Sequence, residues 1–191
     1  MENKEIEEHP FAPFIPEGAK ILIMGTFPPG SHRWSMEFYY PNRTNDFWFI
    51  MGYIFFGDKY ALYDRETKHF YLDKIKALLT EKGIAMSDTG FKVRRLKGNA
   101  SDKFLEIVEP VDLKCLLSKM PQCRGIATTG EKAADVIARL TGTEAPKIGN
   151  YTTDSQGIEI WRMPSTSRAY PLALEKKAAY YENMFQHLNI L

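Results

Sequence analysis

Residues 20–30 read KILIMGTFPPG, and the change of character at Gly25 decides the fold class. Residues 20–24 form a short continuous apolar run, which is typical of a strand buried on both faces of a sheet. Pro28 and Pro29 then exclude a helix directly after this strand. The stretch therefore predicts a buried strand whose carboxyl end opens into a loop.

Further segments of the same kind follow along the chain. Residues 83–86, 125–129 and 158–163 predict three more buried strands, and residues 47–56 predict a buried helix. Apolar residues at helical spacing predict three other helices, marked by Tyr71, Ile75, Leu78 and Leu79, by Ala133, Ala134, Ile137 and Leu140, and by Leu174, Ala178, Tyr181, Phe185 and Leu188. The alternation predicts an α/β fold, a three-layer α/β/α sandwich with a central, mostly parallel four-stranded sheet.

The chain length fits one domain. We expect residues 1–18, which are acidic and contain three prolines, to form an N-terminal surface arm, and residues 19–191 to form a single domain. No apolar run of about 18 residues is present, and the acidic N-terminus does not resemble a secretory signal. A cytoplasmic, monomeric protein without membrane contact is the expectation.

Cysteine and histidine usage argues against a disulfide framework or a metal site. The two cysteines, Cys115 and Cys123, cannot supply the four thiolates of an iron–sulfur cluster, and the four histidines show no paired spacing. No metal and no cofactor is expected.

The net charge of +1 hides an uneven distribution. The first eight residues, with four Glu and one Lys, contribute −3, so the remainder carries +4. Four cations fall within six positions, at Lys92, Arg94, Arg95 and Lys97. This run favours a solvated loop, and it still permits local contacts to phosphate.

Small, polar or rigid residues follow each predicted strand. The four strand ends read GTFPPGS, SDTG, TTGE and PSTSR. Ligands of open parallel sheets bind outside the carboxyl ends of the strands. These four segments therefore predict a site for a polar ligand.

Residues 25–48, GTFPPGSHRWSMEFYYPNRTNDFW, resemble the first motif of the uracil-DNA glycosylase superfamily. The resemblance is closest to the hypoxanthine-DNA glycosylase branch, with its G-S-x-P opening and later YY…P-x-N-x-F-W segment. Three further pieces agree in order, namely GIAMSDTG with the basic stretch and GNASD, then TTGEKAA, then PSTSR. The resemblance spans roughly residues 20–188.

The resemblance implies a monofunctional DNA glycosylase that hydrolyses the N-glycosidic bond of hypoxanthine or uracil in DNA, in base excision repair. Such an enzyme flips the damaged nucleotide into a pocket. Asn45 matches the catalytic asparagine of the branch, although an asparagine here could also cap the following helix. Phe47 is the implied stacking ring, whereas Trp48 favours a core role. The remaining implied base-binding residues are Gly25, Thr26, Phe27, Tyr40 and Asp88.

Two of these positions leave alternatives open. Several members carry an Asp or Asn that activates water where this chain has Phe27, so the catalytic role falls to Asn45 or is absent. Asp88 could accept a hydrogen bond from a base or close an Asx turn.

The segment 164–168 resembles the loop that pinches DNA phosphates. Hydroxyl and backbone N–H groups suit phosphate oxygens. The implied phosphate and intercalation residues are Ser31, Ser165, Thr166, Ser167, Arg168 and Tyr170. Arg168 departs from the proline that usually continues this loop, which leaves altered or lost DNA binding open.

Two other classes of function compete with the glycosylase. One is a catalytically inactive relative that binds nucleic acid or a nucleotide. The other is an unrelated hydrolase using Ser31 with His32, or Ser165, but no G-x-S-x-G elbow is present. A phosphate-binding loop of the G-x-x-x-x-G-K-[ST] type is also absent.

Overall fold

The computed structural model describes residues 5–97 and 101–191. Its main sheet has the strand order β5-β2-β8-β10-β9. In chain order the strands and helices are β1 (Ile6–Glu8), β2 (Ile21–Gly25), α1 (Phe47–Phe56), β3 (Tyr63–Asp64), β4 (His69–Phe70), α2 (Leu72–Lys82), β5 (Ile84–Asp88), β6 (Gly90–Arg95), β7 (Leu105–Pro110), α3 (Leu113–Ser118), β8 (Gly125–Thr129), α4 (Glu131–Thr141), β9 (Tyr151–Thr153), β10 (Glu159–Met163) and α5 (Leu174–His187).

The main sheet has five strands rather than the predicted four. Neighbouring pairs among β5, β2, β8 and β10 run parallel, and β9 adds an antiparallel edge strand along β10. β9 is only three residues long, and its first and last residues are exposed, so it lacks the apolar run that marks a buried strand. The mostly parallel α/β architecture is as predicted.

The parallel strands are buried at nearly every position because helices cover both faces. Ile21, Ile23 and the inner residues of α1, α2 and α5 share one core. Leu22 and Met24 face the opposite core, which contains residues of α3 and α4. Side chains of one strand point alternately to opposite faces, so a strand between two helical layers is apolar throughout.

Two details of the helical faces differ from the sequence pattern. Leu140 belongs to the apolar stripe of α4 by spacing, but its side chain is exposed, because it lies in the last turn of the helix. Ala133, Ala134 and Ile137 of the same stripe are buried as predicted. In the described part of the chain, no helix combines the length and hydropathy that a membrane crossing requires.

Three of the four cations of the basic run, Lys92, Arg94 and Arg95, lie in a strand and not in a loop. β6 pairs antiparallel with β1 on one side and β7 on the other, forming a second, three-stranded sheet. Acidic partners face its cations at Lys92–Glu109, Arg94–Glu106 and Arg95–Glu7. These pairs offset the positive charge of β6.

The N-terminal segment is part of this second sheet. β1 pairs with β6 from Ile6 to Glu8, and Phe14 forms an isolated bridge with Met86 of β5. The arm therefore runs from the small sheet to the edge of the main sheet, next to the carboxyl end of β5.

Candidate functional site

Gly25 lies at the centre of a polar cluster at the carboxyl ends of the parallel strands. The register of β2 against β5 places Gly25 beside Asp88. A Cβ atom at Gly25 would lie 3.0 Å from both Asp88 Oδ1 and the Tyr40 hydroxyl, and 3.4 Å from Thr129 Oγ1. Only a glycine leaves room for these three side chains to converge. We call Gly25, Tyr40, Asp88 and Thr129 the strand-end cluster.

Tyr40 carries an aromatic ring into this cluster from a strained backbone position. Its φ of 52° lies in the left-handed region, which non-glycine residues rarely adopt and which is found disproportionately at functional sites. The hydroxyl lies 2.6 Å from Thr129 Oγ1. Burial, and after it the charge of Asp88, raises the pKa of Tyr40, so the phenol stays protonated and able to donate.

The Phe47 ring, which is the expected stacking surface, is covered in this structure. Phe47 is 0% exposed, and its ring stacks on Tyr40 with centroids 4.1 Å apart. Trp48 packs edge-on against it and donates from Nε1 to the Tyr39 carbonyl, which confirms the core role expected for Trp48. Of these two stacked residues, Tyr40 is partly exposed and Phe47 is not.

Asp88 contacts a residue that the sequence reading did not connect to the site. Its Oδ2 lies 2.8 Å from Nε2 of His9, and both side chains are buried. The same histidine stacks on the Tyr39 ring and packs edge-on against Phe27. Phe27 therefore packs against the His9 ring.

Thr26 extends the polar cluster toward the segment that follows β6. Its hydroxyl donates to Asp102 Oδ2 at 3.0 Å. The Asp102 residue is exposed overall, but burial of its carboxyl group against Thr26 raises the carboxyl pKa, and the hydrogen bond from Thr26 opposes that shift. Lys132 Nζ donates to the backbone carbonyls of Asp102 and Leu105.

Asn45 lies where the segment before α1 meets the segment after β10. Its Oδ1 accepts from the Phe47 N–H at 2.9 Å, and Asn45 forms an isolated antiparallel bridge with Ser167. The Asp46 N–H donates to the Thr166 carbonyl at 2.7 Å. Asp46 is the residue that precedes the helix, so the Asn45 amide holds the turn before the helix rather than capping it from the N-cap position.

A buried ion cluster lies behind this junction. Lys177 of α5 is 0% exposed, and its Nζ donates to Asp46 Oδ2 at 3.0 Å and to the Ser167 carbonyl at 2.8 Å. Arg168 donates from Nε to Asp46 Oδ1 at 3.1 Å and from Nη2 to the Arg43 carbonyl. Asp46, Arg168 and Lys177 therefore join α1, the 164–168 loop and α5.

The residues expected to hold phosphate are not equally available. Thr166 is 2% exposed, so its hydroxyl is inside the protein rather than on the surface. Ser165 Oγ and Ser167 Oγ accept from backbone N–H groups two residues on, and Ser167 is exposed. Tyr170 is partly buried, with its ring 5.9 Å from Lys177 Nζ. Ser31 lies in an exposed 3-10 turn, Ser31–Arg33.

Comparisons with known proteins find relatives that match most of the chain. No family model matches the chain. A hypoxanthine DNA glycosylase of Methanosarcina acetivorans is 26% identical over 177 residues, covering 93% of this chain and 97% of the relative. A hypoxanthine DNA glycosylase of Methanosarcina barkeri is 29% identical over 137 residues, covering 70% of this chain and 79% of the relative.

A solved structure gives the same result for the fold. The solution structure of a candidate uracil DNA glycosylase from Methanosarcina acetivorans superposes with a TM-score of 0.68 at 26% identity, covering 97% of this chain and 99% of that one. The chain is therefore similar to proteins of the uracil-DNA glycosylase superfamily over nearly its whole length. Within the superfamily, its similarity is to the hypoxanthine branch, as the motifs predicted.

The structure brings together residues from every motif that suggested the family. Gly25, Tyr40 and Asp88 meet in the strand-end cluster, and Asn45 meets Ser167 next to it. The Tyr40–Phe47 stack connects the two groups. Ser31 is not among these contacts. Within the described residues, no group of three or more His, Cys, Asp or Glu side chains is placed to hold a metal ion.

Three residues of the site were missed by the sequence analysis: His9, Asp46 and Lys177. Thr129 lies in TTGE, one of the four strand ends that predicted the site, although it was not singled out there. His9 lies in the arm, 79 positions from Asp88, and Lys177 is 131 positions from Asp46. Such pairings depend on tertiary packing that no local pattern encodes.

Proposed function

We propose that the protein is a monofunctional DNA glycosylase that hydrolyses the N-glycosidic bond of a deaminated base in DNA, as a step of base excision repair. One observation carries the proposal. The strand-end cluster, with room for it created by Gly25, lies in a chain that resembles hypoxanthine DNA glycosylases over most of its length. Hypoxanthine is the base we expect to be preferred, with uracil as the second substrate.

The Tyr40 ring is the proposed stacking surface. A base inside a duplex is out of reach, so the nucleotide must leave the stack, at a cost of a few kcal/mol. An aromatic face in the pocket offsets part of this cost. The stacked Phe47 ring supports Tyr40 from behind, which keeps the platform rigid.

Asp88 and the Tyr40 hydroxyl can read the edge of the base. Hypoxanthine presents an N1–H donor beside its O6 acceptor, and uracil presents an N3–H between two carbonyl oxygens. Asp88 Oδ1 supplies an acceptor, and the protonated Tyr40 phenol supplies a donor. Adenine and cytosine present a lone pair where the deaminated bases carry the N–H, which opposes the carboxylate.

Asn45 is the proposed catalytic residue. Breaking the glycosidic bond leaves an oxocarbenium-like sugar, which a positioned water molecule attacks. The Asn45 carbonyl oxygen has two lone pairs, and Phe47 N–H uses one of them. The second can accept from water and fix its orientation, a role for which no strong base is needed when the sugar is already electrophilic.

The lysines near the site favour hydrolysis by water over Schiff-base chemistry. A lysine nucleophile must reach the sugar as a free amine. Lys177 is buried and bound to Asp46 and Ser167, and Lys132 donates to two backbone carbonyls. Borohydride should therefore trap no covalent complex between the protein and abasic DNA.

The 164–168 loop is the proposed contact to the DNA backbone. The exposed Ser167 and the partly exposed Ser165 offer hydroxyls beside Asn45. Arg168 has a half-exposed guanidinium that could approach a phosphate without leaving Asp46. The cations of β6 are largely paired with acidic residues, so we expect moderate, salt-sensitive affinity for DNA. We further propose that the protein acts as a monomer.

The first test is base release from labelled oligonucleotides containing one deoxyinosine or deoxyuridine, single-stranded and opposite each normal base. Alkali then converts abasic sites to breaks. Asn45→Ala should lower the single-turnover rate about 100-fold or more. Asn42→Ala is the matched control, because Asn42 Oδ1 accepts from the Thr44 N–H in a similar turn. Each change should cost about 1 kcal/mol of stability, so only the rates should separate them.

A catalytically inactive relative that binds nucleic acid is the second candidate. The observation in its favour is Phe27, which cannot activate water and instead packs on His9. If folded wild-type protein releases no base from any oligonucleotide, the glycosylase proposal is overturned. Gel-shift binding at two salt concentrations then tests the second candidate.

A further inference from the structure

His9 lies in the N-terminal arm, outside every motif that suggested the family. It directly follows β1, and only 6% of its side chain is exposed. The Tyr39 and Phe27 rings pack against the imidazole. The ring nitrogens of a buried histidine must be hydrogen-bonded, so the partners of His9 indicate what the side chain does.

The hydrogen bonds of His9 assign its proton to Nε2. The Phe11 N–H donates to Nδ1 at 3.1 Å, so in the neutral ring Nδ1 is the acceptor and Nε2 carries the hydrogen. The Phe11 carbonyl lies 3.0 Å from Nδ1, so the doubly protonated ring also has a partner there. In both states Nε2 donates to Asp88 Oδ2 at 2.8 Å.

The two oxygens of Asp88 therefore serve two different neighbours. Oδ2 is held by His9, whereas Oδ1 lies over Gly25, which the Tyr40 hydroxyl and Thr129 Oγ1 also approach. A carboxylate fixed at one oxygen cannot rotate freely, so the direction of the other oxygen is set. Orientation by an outer partner is how sites hold an acceptor within a few tenths of an ångström.

We propose that His9 is a positioning residue that holds Asp88 as the acceptor for the ring N–H of the deaminated base, and so sets the discrimination against adenine. The inference rests on the proposed function. It makes the arm part of the specificity machinery: without the His9 bond, Asp88 loses the contact that aims Oδ1 at N1–H of hypoxanthine. A site that hydrogen-bonds a substrate group discriminates strongly only while its own polar groups are fixed.

His9→Leu and His9→Gln separate positioning from packing. The leucine removes the donor, whereas the amide nitrogen of the glutamine can replace Nε2–H. We expect His9→Leu to lower kcat/KM for deoxyinosine about 10- to 100-fold, the range for a lost hydrogen bond to a charged group. His9→Gln should recover most of that loss. His69→Leu is the control, since His69 is exposed and its ring binds only the nearby Thr67 carbonyl.

A double-mutant cycle with Asp88→Asn tests the route of the effect. If His9 acts through Asp88, His9→Leu should change neither the rate nor the preference for deoxyinosine over deoxyadenosine once Asp88 is replaced. Equal losses in His9→Leu and His9→Gln, in proportion to their loss of thermal stability, would overturn the inference. Additive effects of the two substitutions would do the same.

Binding of the free bases keeps this test separate from the test of catalysis. Hypoxanthine and adenine are titrated into the wild-type protein and into His9→Leu, followed by calorimetry. Tighter binding of hypoxanthine that weakens in His9→Leu supports the inference even if no base is released from DNA. Equal binding of both bases, or binding of neither, by wild-type protein overturns it.

Discussion

At the scale of single residues, Gly25 is the position where one added methyl group should separate activity from folding. A Cβ at this position would lie 3.0 Å from both Asp88 Oδ1 and the Tyr40 hydroxyl. Gly25→Ala should displace both side chains and lower base release at least about tenfold. The overpacking cost should be about 1–3 kcal/mol, which corresponds to a few degrees in Tm.

Gly125→Ala is the control for this substitution. Gly125 begins β8 at the opposite end of the sheet, and a Cβ there would lie 3.2 Å from the end of the Leu188 side chain. Its stability cost should be similar, but the folded protein should retain wild-type single-turnover rates. Equal activity of Gly25→Ala and Gly125→Ala would contradict the proposed position of the base.

The contrast between Phe47 and Tyr40 shows where a motif stops being informative. The motif brings both aromatic residues to the site, and the structure stacks them on each other. Which ring is outermost depends on the left-handed turn at Tyr40. A β-branched or aromatic residue is seldom expected in that conformation, so local propensity could not have predicted it.

At the scale of secondary-structure elements, the Lys177 side chain ties α5 to the start of α1. Lys177→Met should leave the buried Asp46 with Arg168 alone, which is half exposed. Removing one partner of a buried ion pair is strongly destabilising, so we expect a loss of about 3 kcal/mol. Urea denaturation should show a lower midpoint with an unchanged slope.

Lys176→Met is the matched control, because Lys176 is exposed on the same helix turn. It should change stability by less than about 0.5 kcal/mol. If both lysine substitutions cost the same, the Asp46–Lys177 pair is not what holds the junction. A selective loss would identify the pair as the anchor of the 164–168 loop.

The strands that the sequence predicted and those that it missed differ in how completely their residues are buried. β2, β5 and β8 are buried at every position, and the apolar runs in their sequences predicted them as buried strands. β6 has a burial pattern without strict alternation and a register shift against β7 between Gly90 and Val93. The cations of β6 are paired with acidic residues of the neighbouring strands. These partners lie elsewhere in the sequence, so the run of charge alone indicated a solvated loop.

Lys177 was hidden for a related reason. It lies between Leu174 and Ala178 on the inward face of α5, where the apolar stripe predicts burial. A lysine at such a position reads as a break in the stripe. The ion pair with Asp46, 131 positions away, and the hydrogen bond to the Ser167 carbonyl together make a buried ammonium group acceptable.

At the scale of the whole molecule, the parallel direction of the strands explains why the site residues meet at one end of the sheet. All four parallel strands end on the same side, so segments far apart in sequence meet there. That consequence could be predicted from alternation alone. The contribution of the N-terminal arm could not, because β1 joins a second sheet that the apolar pattern did not reveal.

Three tyrosines with buried hydroxyl groups join different parts of this architecture. The Tyr39 hydroxyl donates to the Ala12 carbonyl of the arm, Tyr40 pairs with Thr129 of β8, and Tyr181 of α5 donates to the Pro164 carbonyl. Burial is the first cause that raises the pKa of each above its ordinary value of 10.0. Burial also raises the pKa of the Cys123 thiol from 9.0 to about 11.

These shifts predict cooperative unfolding in alkali. A raised pKa in the folded state means that the unfolded chain loses its proton first, so stability is complete below the unfolded pKa and falls above it. Each tyrosine should remove about 1.4 kcal/mol per pH unit above pH 10, and Cys123 should begin the decline near pH 9. The folded state of a domain with roughly 5–15 kcal/mol of stability should fail within a few pH units.

Tyrosinate absorbance and circular dichroism measured on the same samples check this. The absorbance of three of the ten tyrosines should appear only as the circular dichroism is lost, whereas in guanidinium all ten should ionise in one broad step. Tyr181→Phe should make the decline above pH 10 shallower by one proton, although it costs about 1 kcal/mol of stability at neutral pH. Ionisation of all ten tyrosines before any loss of structure would mean that water reaches the hydroxyl groups of Tyr39, Tyr40 and Tyr181 in the folded protein.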